Sequence, residues 1–264
     1  MKPFWTLAAT LALAASGVVG YAAGVLSAPL AVAMNAVAIY LAFTVLHEAM
    51  HRIAHADRRV NDTLGRIAGW MLTVSLPMFR AVHYEHHSHT NDPERDPDLF
   101  VARGPRWLLP LRLVGVIVEY RRAFYGRRLW KNATERNEAI ATDLAFLALA
   151  AIAVAAGWGP TLFVLWLAPA MLAVVFLAFA FDFVPHYPYD TAERYYDTRI
   201  IPGRTLNGVL LGQNYHLIHH LWTTIPWYRY QRVFGEIRED LEARRCRIGW
   251  RVSPLPKSVE AEAA

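Results

Sequence analysis

Residues 4–46 read FWTLAATLALAASGVVGYAAGVLSAPLAVAMNAVAIYLAFTVL and contain no charged side chain. A membrane-spanning helix needs roughly 20 apolar residues, so this stretch is long enough for two of them. Residues 27–29 (Ser-Ala-Pro) lie near its middle and predict a turn. The stretch therefore predicts a helical hairpin with spans at 4–26 and 29–46. A cleaved signal peptide beginning at Lys2 is the alternative, but the apolar run continues past the length that such a peptide needs.

A second apolar block covers residues 139–181 and is interrupted only by Asp143. Residues 157–160 (Gly-Trp-Gly-Pro) again predict a turn near the middle. This block predicts a second hairpin, with spans at 139–156 and 160–181. The sequence thus predicts an all-α integral membrane protein with four transmembrane helices in two hairpins.

Basic residues are concentrated outside the predicted hairpins. Residues 52–136 carry 15 Lys or Arg and residues 182–264 carry 11, whereas the two hairpin turns carry none. The positive-inside rule then places both termini and the segments 47–138 and 182–264 in the cytoplasm, which suggests a bacterial inner membrane. We expect these segments to form a helical cap on one membrane domain, 1–264. Topology accounts for the net charge of +5 without a nucleic-acid partner.

Two shorter apolar stretches lie within the predicted cap, at residues 67–79 and 107–118. Both are too short or too interrupted to span a membrane, so we expect interfacial or re-entrant helices. The segment between them, at 90–98, is rich in Asp, Asn and Pro and predicts a loop.

Histidines are the most informative residues of this sequence. The chain has 11 of them, and none lies inside the predicted spans. His47 and His51 are four residues apart and would share one face of a helix. Two further clusters repeat the pattern HxxHH, and one more histidine follows the last span. These residues are His83, His86, His87, His186, His216, His219 and His220.

Nine imidazoles at one level of a membrane suit two metal ions better than one, because a single ion takes about three or four protein ligands. Imidazole binds iron, zinc and copper alike, so the donors do not identify the metal.

Two other classes of protein also fit parts of this pattern. The segment from His47 to His51 matches HExxH, in which Glu48 would be the general base of a zinc protease. That interpretation leaves both HxxHH clusters without a role, and it predicts activity with one zinc that is indifferent to His216→Ala. A metal transporter would need polar residues inside its spans, which here contain almost none apart from Asp143.

In these motifs the sequence resembles the membrane fatty-acid desaturase and hydroxylase superfamily, whose histidine boxes read HxxxH, HxxHH and HxxHH. Longer strings resemble the β-carotene hydroxylase branch of that superfamily. They are NDPE at 91–94, DPD at 96–98, DFVPH at 182–186, GQNYHLIHHLW at 212–222 and IPWY at 225–228. The first box departs from that branch, because Glu48 and Met50 stand where Asp and Ser are expected.

The resemblance implies a di-iron centre that uses O2 and electrons from ferredoxin or a similar donor. It implies β-carotene 3-hydroxylation, with fatty-acyl lipid desaturation or hydroxylation as the alternative and carotenoid ketolation as a further one. All nine box histidines would ligate iron, and Asp182, one helical turn before His186, would be a further ligand. Residues next to these ligands are candidates for supporting them through hydrogen bonds. They are Glu48, His55, Glu85, His89 and Asn214.

Overall fold

The computed structural model describes residues 2–252 and 254–256, and most of them are helical. The helices longer than one turn are α1 (Lys2–Ala22), α2 (Ala28–Met50), α3 (Arg58–Met71), α4 (Leu76–Ser88), α5 (Leu109–Gly126), α6 (Ala133–Ala155), α7 (Gly159–His186), α8 (Arg204–Leu210), α9 (His216–Leu221) and α10 (Tyr230–Ala243). Within the described ranges no strand forms, and Ile200 and Ile248 make one isolated bridge.

Four of these helices, α1, α2, α6 and α7, are long and apolar enough to cross a membrane. The predicted all-α fold with four membrane helices is therefore confirmed. Three helices run further than predicted: α2 continues past residue 46 to Met50, α6 begins at Ala133 instead of at residue 139, and α7 continues past residue 181 to His186. Helix α1 is shorter and ends at Ala22 instead of at residue 26. His47 and His186 consequently lie in the last turns of α2 and α7.

The chain divides into two compact units. The first comprises the described residues up to Val82 together with Ile117–Phe176. The second comprises His83–Val116 and the described residues from Leu177 onward.

In the first unit, side chains from α3 and α4 satisfy the carbonyl groups at the end of α2. Asn61 donates from Nδ2 to the Ala49 carbonyl at 2.8 Å, and Arg80 donates to the Ala49 and Met50 carbonyls at 3.2 Å. Arg80 also pairs with Asp62 at 2.7 Å. The last carbonyls of a helix have no partner within that helix, so these bonds stabilise the turn that carries the first histidine box.

Residues 67–79, for which we expected an interfacial or re-entrant helix, do not form one continuous helix. The segment is divided between α3 and α4 by a turn in which Thr73 has φ 59°. Helix α3 packs closely on α2, so that a Cβ on Gly65 would lie 2.7 Å from the Ala49 Cβ. The stretch at 107–118 forms the start of α5, after one 3-10 turn.

The single charge in the second apolar block is neutralised within the first unit. Asp143 of α6 accepts hydrogen bonds from Arg121 Nη2 at 2.8 Å and from the Tyr125 hydroxyl at 2.9 Å. A carboxylate inside a membrane span is costly unless it is paired. Asp143 therefore has a structural explanation and does not indicate a transport pathway.

In the second unit, the third histidine box is anchored by the helix that follows it. Leu217 and Ile218 of α9 are fully buried and pack in one cluster with Tyr215, Tyr230 and Phe234. Because apolar neighbours fix α9 on this side, the histidines that alternate with Leu217 and Ile218 have defined directions.

We expect Gly212→Ala to lower the free energy of unfolding by about 2 kcal/mol or more. Gly212 has φ 85°, and a Cβ there would lie 2.5 Å from the Trp227 carbonyl oxygen. Gly208, within α8, has no atom within 4 Å of an added Cβ. Gly208→Ala should therefore be neutral or stabilising by up to about 1 kcal/mol. Thermal unfolding of both variants in detergent checks this, and equal effects would contradict it.

Candidate metal centre

Four histidines of the second unit direct one ring nitrogen each toward a common point. Three Nε2–Nε2 distances define this group: His186 to His216 at 3.1 Å, His216 to His220 at 3.1 Å, and His86 to His220 at 3.4 Å. His86, His186 and His216 are buried, and His220 is nearly so. We call these four residues the first histidine set.

Hydrogen bonding between the rings cannot satisfy this arrangement. The Nε2 atom of a neutral imidazole either donates one hydrogen or accepts one. His216 Nε2 nevertheless lies 3.1 Å from two other Nε2 atoms. With metal–nitrogen bonds of about 2.1 Å, adjacent donors lie about 3.0 Å apart at right angles and about 3.4 Å apart in a tetrahedron. The observed spacing matches the donors of one metal ion, so the residues present fit a metal.

Three further histidines of the same unit form a second histidine set. His87 Nε2 lies 3.1 Å from His83 Nε2 and 2.9 Å from His219 Nε2. The ring centroids of His87 and His220 are 4.4 Å apart, so the two sets are adjacent. Seven imidazoles in two neighbouring sets exceed what one ion binds and suit a two-metal centre.

The first histidine box lies in the first unit. His47 and His51 are both buried at the end of α2, and their ring centroids are 5.0 Å apart. The expected common face of the pair is therefore present, while its role as metal ligands stays a prediction.

Two hydrogen bonds to the outer ring nitrogens orient the histidines, and neither was predicted from the sequence. Asp96 Oδ1 lies 2.8 Å from His86 Nδ1, and the Tyr230 hydroxyl lies 2.9 Å from His219 Nδ1. Such partners fix the tautomer and direct the remaining Nε2 lone pair to the metal. Asp96 belongs to the DPD string at 96–98. That string supported the family resemblance, but it did not predict the contact between Asp96 and His86.

Asp96 is itself held rigidly. Both of its oxygens accept further hydrogen bonds: Oδ1 from the Asp98 amide at 2.9 Å, and Oδ2 from the Asn91 amide at 2.7 Å. The side chain is 1% exposed. A buried carboxylate with this many donors stays in one position, which makes it an effective partner for His86.

The pKa values of His86 and His220, two members of the first histidine set, are shifted in opposite directions. Burial lowers the pKa of His86, but the carboxylates of Asp96 and Asp98 outweigh it and raise that pKa to about 10. Burial holds the pKa of His220 well below its ordinary value, and the nearby His87 and His216 lower it further. His220 is therefore neutral at pH 7, which is the form that binds metals.

Asp197 contributes a further carboxyl group next to this set. Its Oδ2 lies 3.8 Å from His220 Nδ1, and burial raises the pKa of Asp197 to about 7. Like Asp96, Asp197 was not identified from the sequence, because no motif links it to a histidine 23 residues later.

Asp182 lies in a π-helical turn, Ala178–Phe183, that directly precedes His186. The residue as a whole is partly buried. Single π turns often occur at functional sites, because they rotate the following side chains. Among the described residues, His186 belongs to a group of potential metal-ligating atoms that lie within 4.8 Å of one another, whereas Asp182 belongs to no such group. Direct ligation by Asp182 therefore stays a prediction.

Three residues of the second unit were predicted to support metal ligands through hydrogen bonds: Glu85, His89 and Asn214. His89 Nδ1 lies 3.1 Å from the Glu85 carbonyl oxygen, and Glu85 is also 3.8 Å from Arg95. Asn214 is buried and donates to the Ile201 carbonyl at 2.9 Å, which supports the backbone before α9.

Two residues of the first unit, Glu48 and His55, were also predicted to support metal ligands. Glu48 is buried beside His47, as expected of a group that supports a ligand. His55 accepts a hydrogen bond at Nδ1 from the Asp57 amide in the turn before α3. A supporting role for either residue stays a prediction.

Comparison with known proteins gives one family match. The family model described as fatty acid desaturase matches residues 3–251. Similar proteins include dihydrorhizobitoxine desaturase of Bradyrhizobium elkanii, 28% identical over 70% of this chain and 60% of that protein. Zeaxanthin 4-ketolase of Chlamydomonas reinhardtii is 28% identical over 70% of this chain and 39% of that protein.

A third relative is an sn-1 oleoyl-lipid 12-desaturase of Synechocystis, 27% identical over 75% of this chain and 65% of that protein. The chain thus spans less than two thirds of the length of these three relatives.

Proposed function

Since the chain belongs to the fatty acid desaturase family, we propose that it is a membrane-bound di-iron oxygenase that hydroxylates carotenoid β-rings at carbon 3. The observation that carries the metal assignment is the convergence of buried Nε2 atoms at 3.1–3.4 Å in the first histidine set. Two iron ions held by the two histidine sets would supply the oxidation of an unactivated C–H bond by O2, which no protein side chain can perform.

The ligands that we propose are the nine box histidines and Asp182. Seven of these histidines form the two sets of the second unit, and His47 and His51 are assigned by the family pattern. The protein's own contribution is to hold these imidazoles buried and oriented, through Asp96 and Tyr230 in particular. Their burial also keeps bulk water away from the reacting carbon.

The electron balance requires an external donor. Hydroxylation reduces O2 by four electrons, of which the C–H bond supplies two. We propose ferredoxin or a similar carrier as the source of the other two. An acidic carrier of this kind complements the Lys and Arg residues outside the spans, which the positive-inside rule assigns to the cytoplasm together with the histidine boxes.

A carotenoid substrate is supported by the strings at 212–222 and 225–228 and by relatives named as carotenoid ketolases. Acyl-lipid desaturation is the second candidate, since two relatives are named as oleoyl-lipid 12-desaturases. The outcomes differ chemically. Hydroxylation adds one oxygen per ring, ketolation adds one oxygen and removes two hydrogens, and desaturation only removes two hydrogens.

Expression in a bacterial host that makes β-carotene tests this function. We expect ring-hydroxylated carotenoids in the wild-type culture and none with His219→Ala. That change removes the imidazole nitrogen that lies 2.9 Å from His87 Nε2 in the second histidine set. Pigments and fatty acids are profiled together by chromatography and mass spectrometry. Unchanged carotenoids beside a new unsaturated acyl chain would contradict the carotenoid assignment and support the lipid desaturase.

A further inference from the structure

Helix α3 of the first unit exposes both apolar and basic side chains. Val60, Ile67 and Trp70 are 38%, 39% and 41% exposed although they are apolar. Arg58 and Arg59 begin the helix and are exposed as well. An amphipathic helix with a basic polar part and exposed apolar side chains is typical of one that lies in a membrane interface.

Between α1 and α3 lies an apolar groove with a volume of about 440 Å³. Phe4, Leu7 and Leu11 line it from α1, and Val60, Leu64 and Ile67 line it from α3. Trp5, in the first turn of the same span, is 63% exposed, and aromatic residues of this kind mark the boundary between hydrocarbon and headgroups. The groove is therefore at the depth where acyl chains meet their headgroups.

The charge at this groove is positive. Arg59 is the charged member of its lining, and Arg58 precedes it in the chain. A neighbouring cavity of about 330 Å³ is lined by Arg52, Arg58 and His55, together with Asn61 and Asp62. The negative charges nearby are engaged locally: Asp62 pairs with Arg80, and Asp57 accepts from the Arg59 and Val60 amides.

We propose that this groove binds an acyl chain of an anionic phospholipid, with the phosphate held by Arg58 and Arg59. The apolar lining suits the chain, and the two guanidinium groups suit a phosphodiester, which Arg binds through two parallel hydrogen bonds. A zwitterionic lipid fits the apolar part equally well but gains less from the arginines. The proposal does not depend on the catalytic assignment, because it uses none of the histidine sets.

Native mass spectrometry of the delipidated full-length protein tests the site, with phosphatidylglycerol and phosphatidylcholine of identical acyl chains. We expect tighter binding of phosphatidylglycerol, by about fivefold for each arginine that contacts the phosphate. Arg58→Gln with Arg59→Gln should remove this preference, whereas Arg59→Lys should retain most of it. Arg204→Gln removes an exposed charge of the second unit and serves as the matched control.

A second variant tests the apolar part separately. Ala8 lines the groove and is exposed, so Ala8→Trp fills the groove without disturbing the core. It should abolish binding of both lipids at this site while leaving the thermal unfolding midpoint unchanged. Equal affinity of the wild-type protein for the two lipids, or unchanged binding in Ala8→Trp, would overturn the proposal.

Discussion

His220→Ala is expected to lower the rate of substrate oxidation by about 100-fold or more and to reduce the iron content. His220 Nε2 lies 3.1 Å from His216 Nε2 and 3.4 Å from His86 Nε2, so its removal leaves a gap in the first histidine set. Loss of a group that merely orients a ligand already costs 10–100-fold in metal affinity or activity, and loss of a ligand should cost more.

Metal analysis and product formation, measured on the same purified preparation, check this expectation. Thermal unfolding shows whether the variant is folded. The HExxH protease hypothesis makes the opposite prediction, because its zinc would be held by His47 and His51 alone. Unchanged metal content and activity in His220→Ala, with losses only in His47→Ala, would therefore contradict the two-metal account.

Asp96→Asn is expected to weaken metal binding by about 10–100-fold while leaving all box histidines in place. The Asp96 carboxylate accepts from His86 Nδ1, from the Asp98 amide and from the Asn91 amide. An amide group has only one acceptor oxygen, so its NH2 group would face at least one of these donors. Either orientation of the amide would place two N–H groups against each other, which would displace the side chain and weaken its hold on His86.

Asp92→Asn is the matched control for this variant. Asp92 lies in the same loop, and its Oδ1 atom accepts from the Glu94 and Arg95 amides instead of from a histidine of either set. Iron affinity, measured by competition with a chelator, should fall in Asp96→Asn and stay at the wild-type value in Asp92→Asn. Equal affinities in the two variants would show that Asp96 only shapes the loop.

Hydropathy predicted the membrane helices well, because burial of apolar residues in lipid depends on composition more than on tertiary contacts. It did not predict where those helices end. Helix α2 continues to Met50 because Asn61 and Arg80, from later helices, satisfy its carbonyls. The π turns of α7 and the break between α3 and α4 have no signal in the hydropathy pattern.

The histidine pattern predicted which rings of the second unit lie close together, because i,i+3 and i,i+4 spacing on a helix fixes which rings share a face. Their role as metal ligands stays a prediction. The groups that orient those rings were missed. Asp96 is 10 residues from His86 in the sequence, and Tyr230 is 11 residues from His219. No helical or strand periodicity predicts contacts at these separations. An aspartate-rich loop directly after a histidine box is the signal that could have indicated Asp96.

Iron stoichiometry of the purified wild-type protein, determined by mass spectrometry of metals together with Mössbauer spectroscopy, tests the central claim most directly. The two adjacent histidine sets predict two iron ions per chain in a coupled pair, reduced in His220→Ala and in His219→Ala. A single zinc ion per chain, unaffected by either substitution, would contradict the di-iron account.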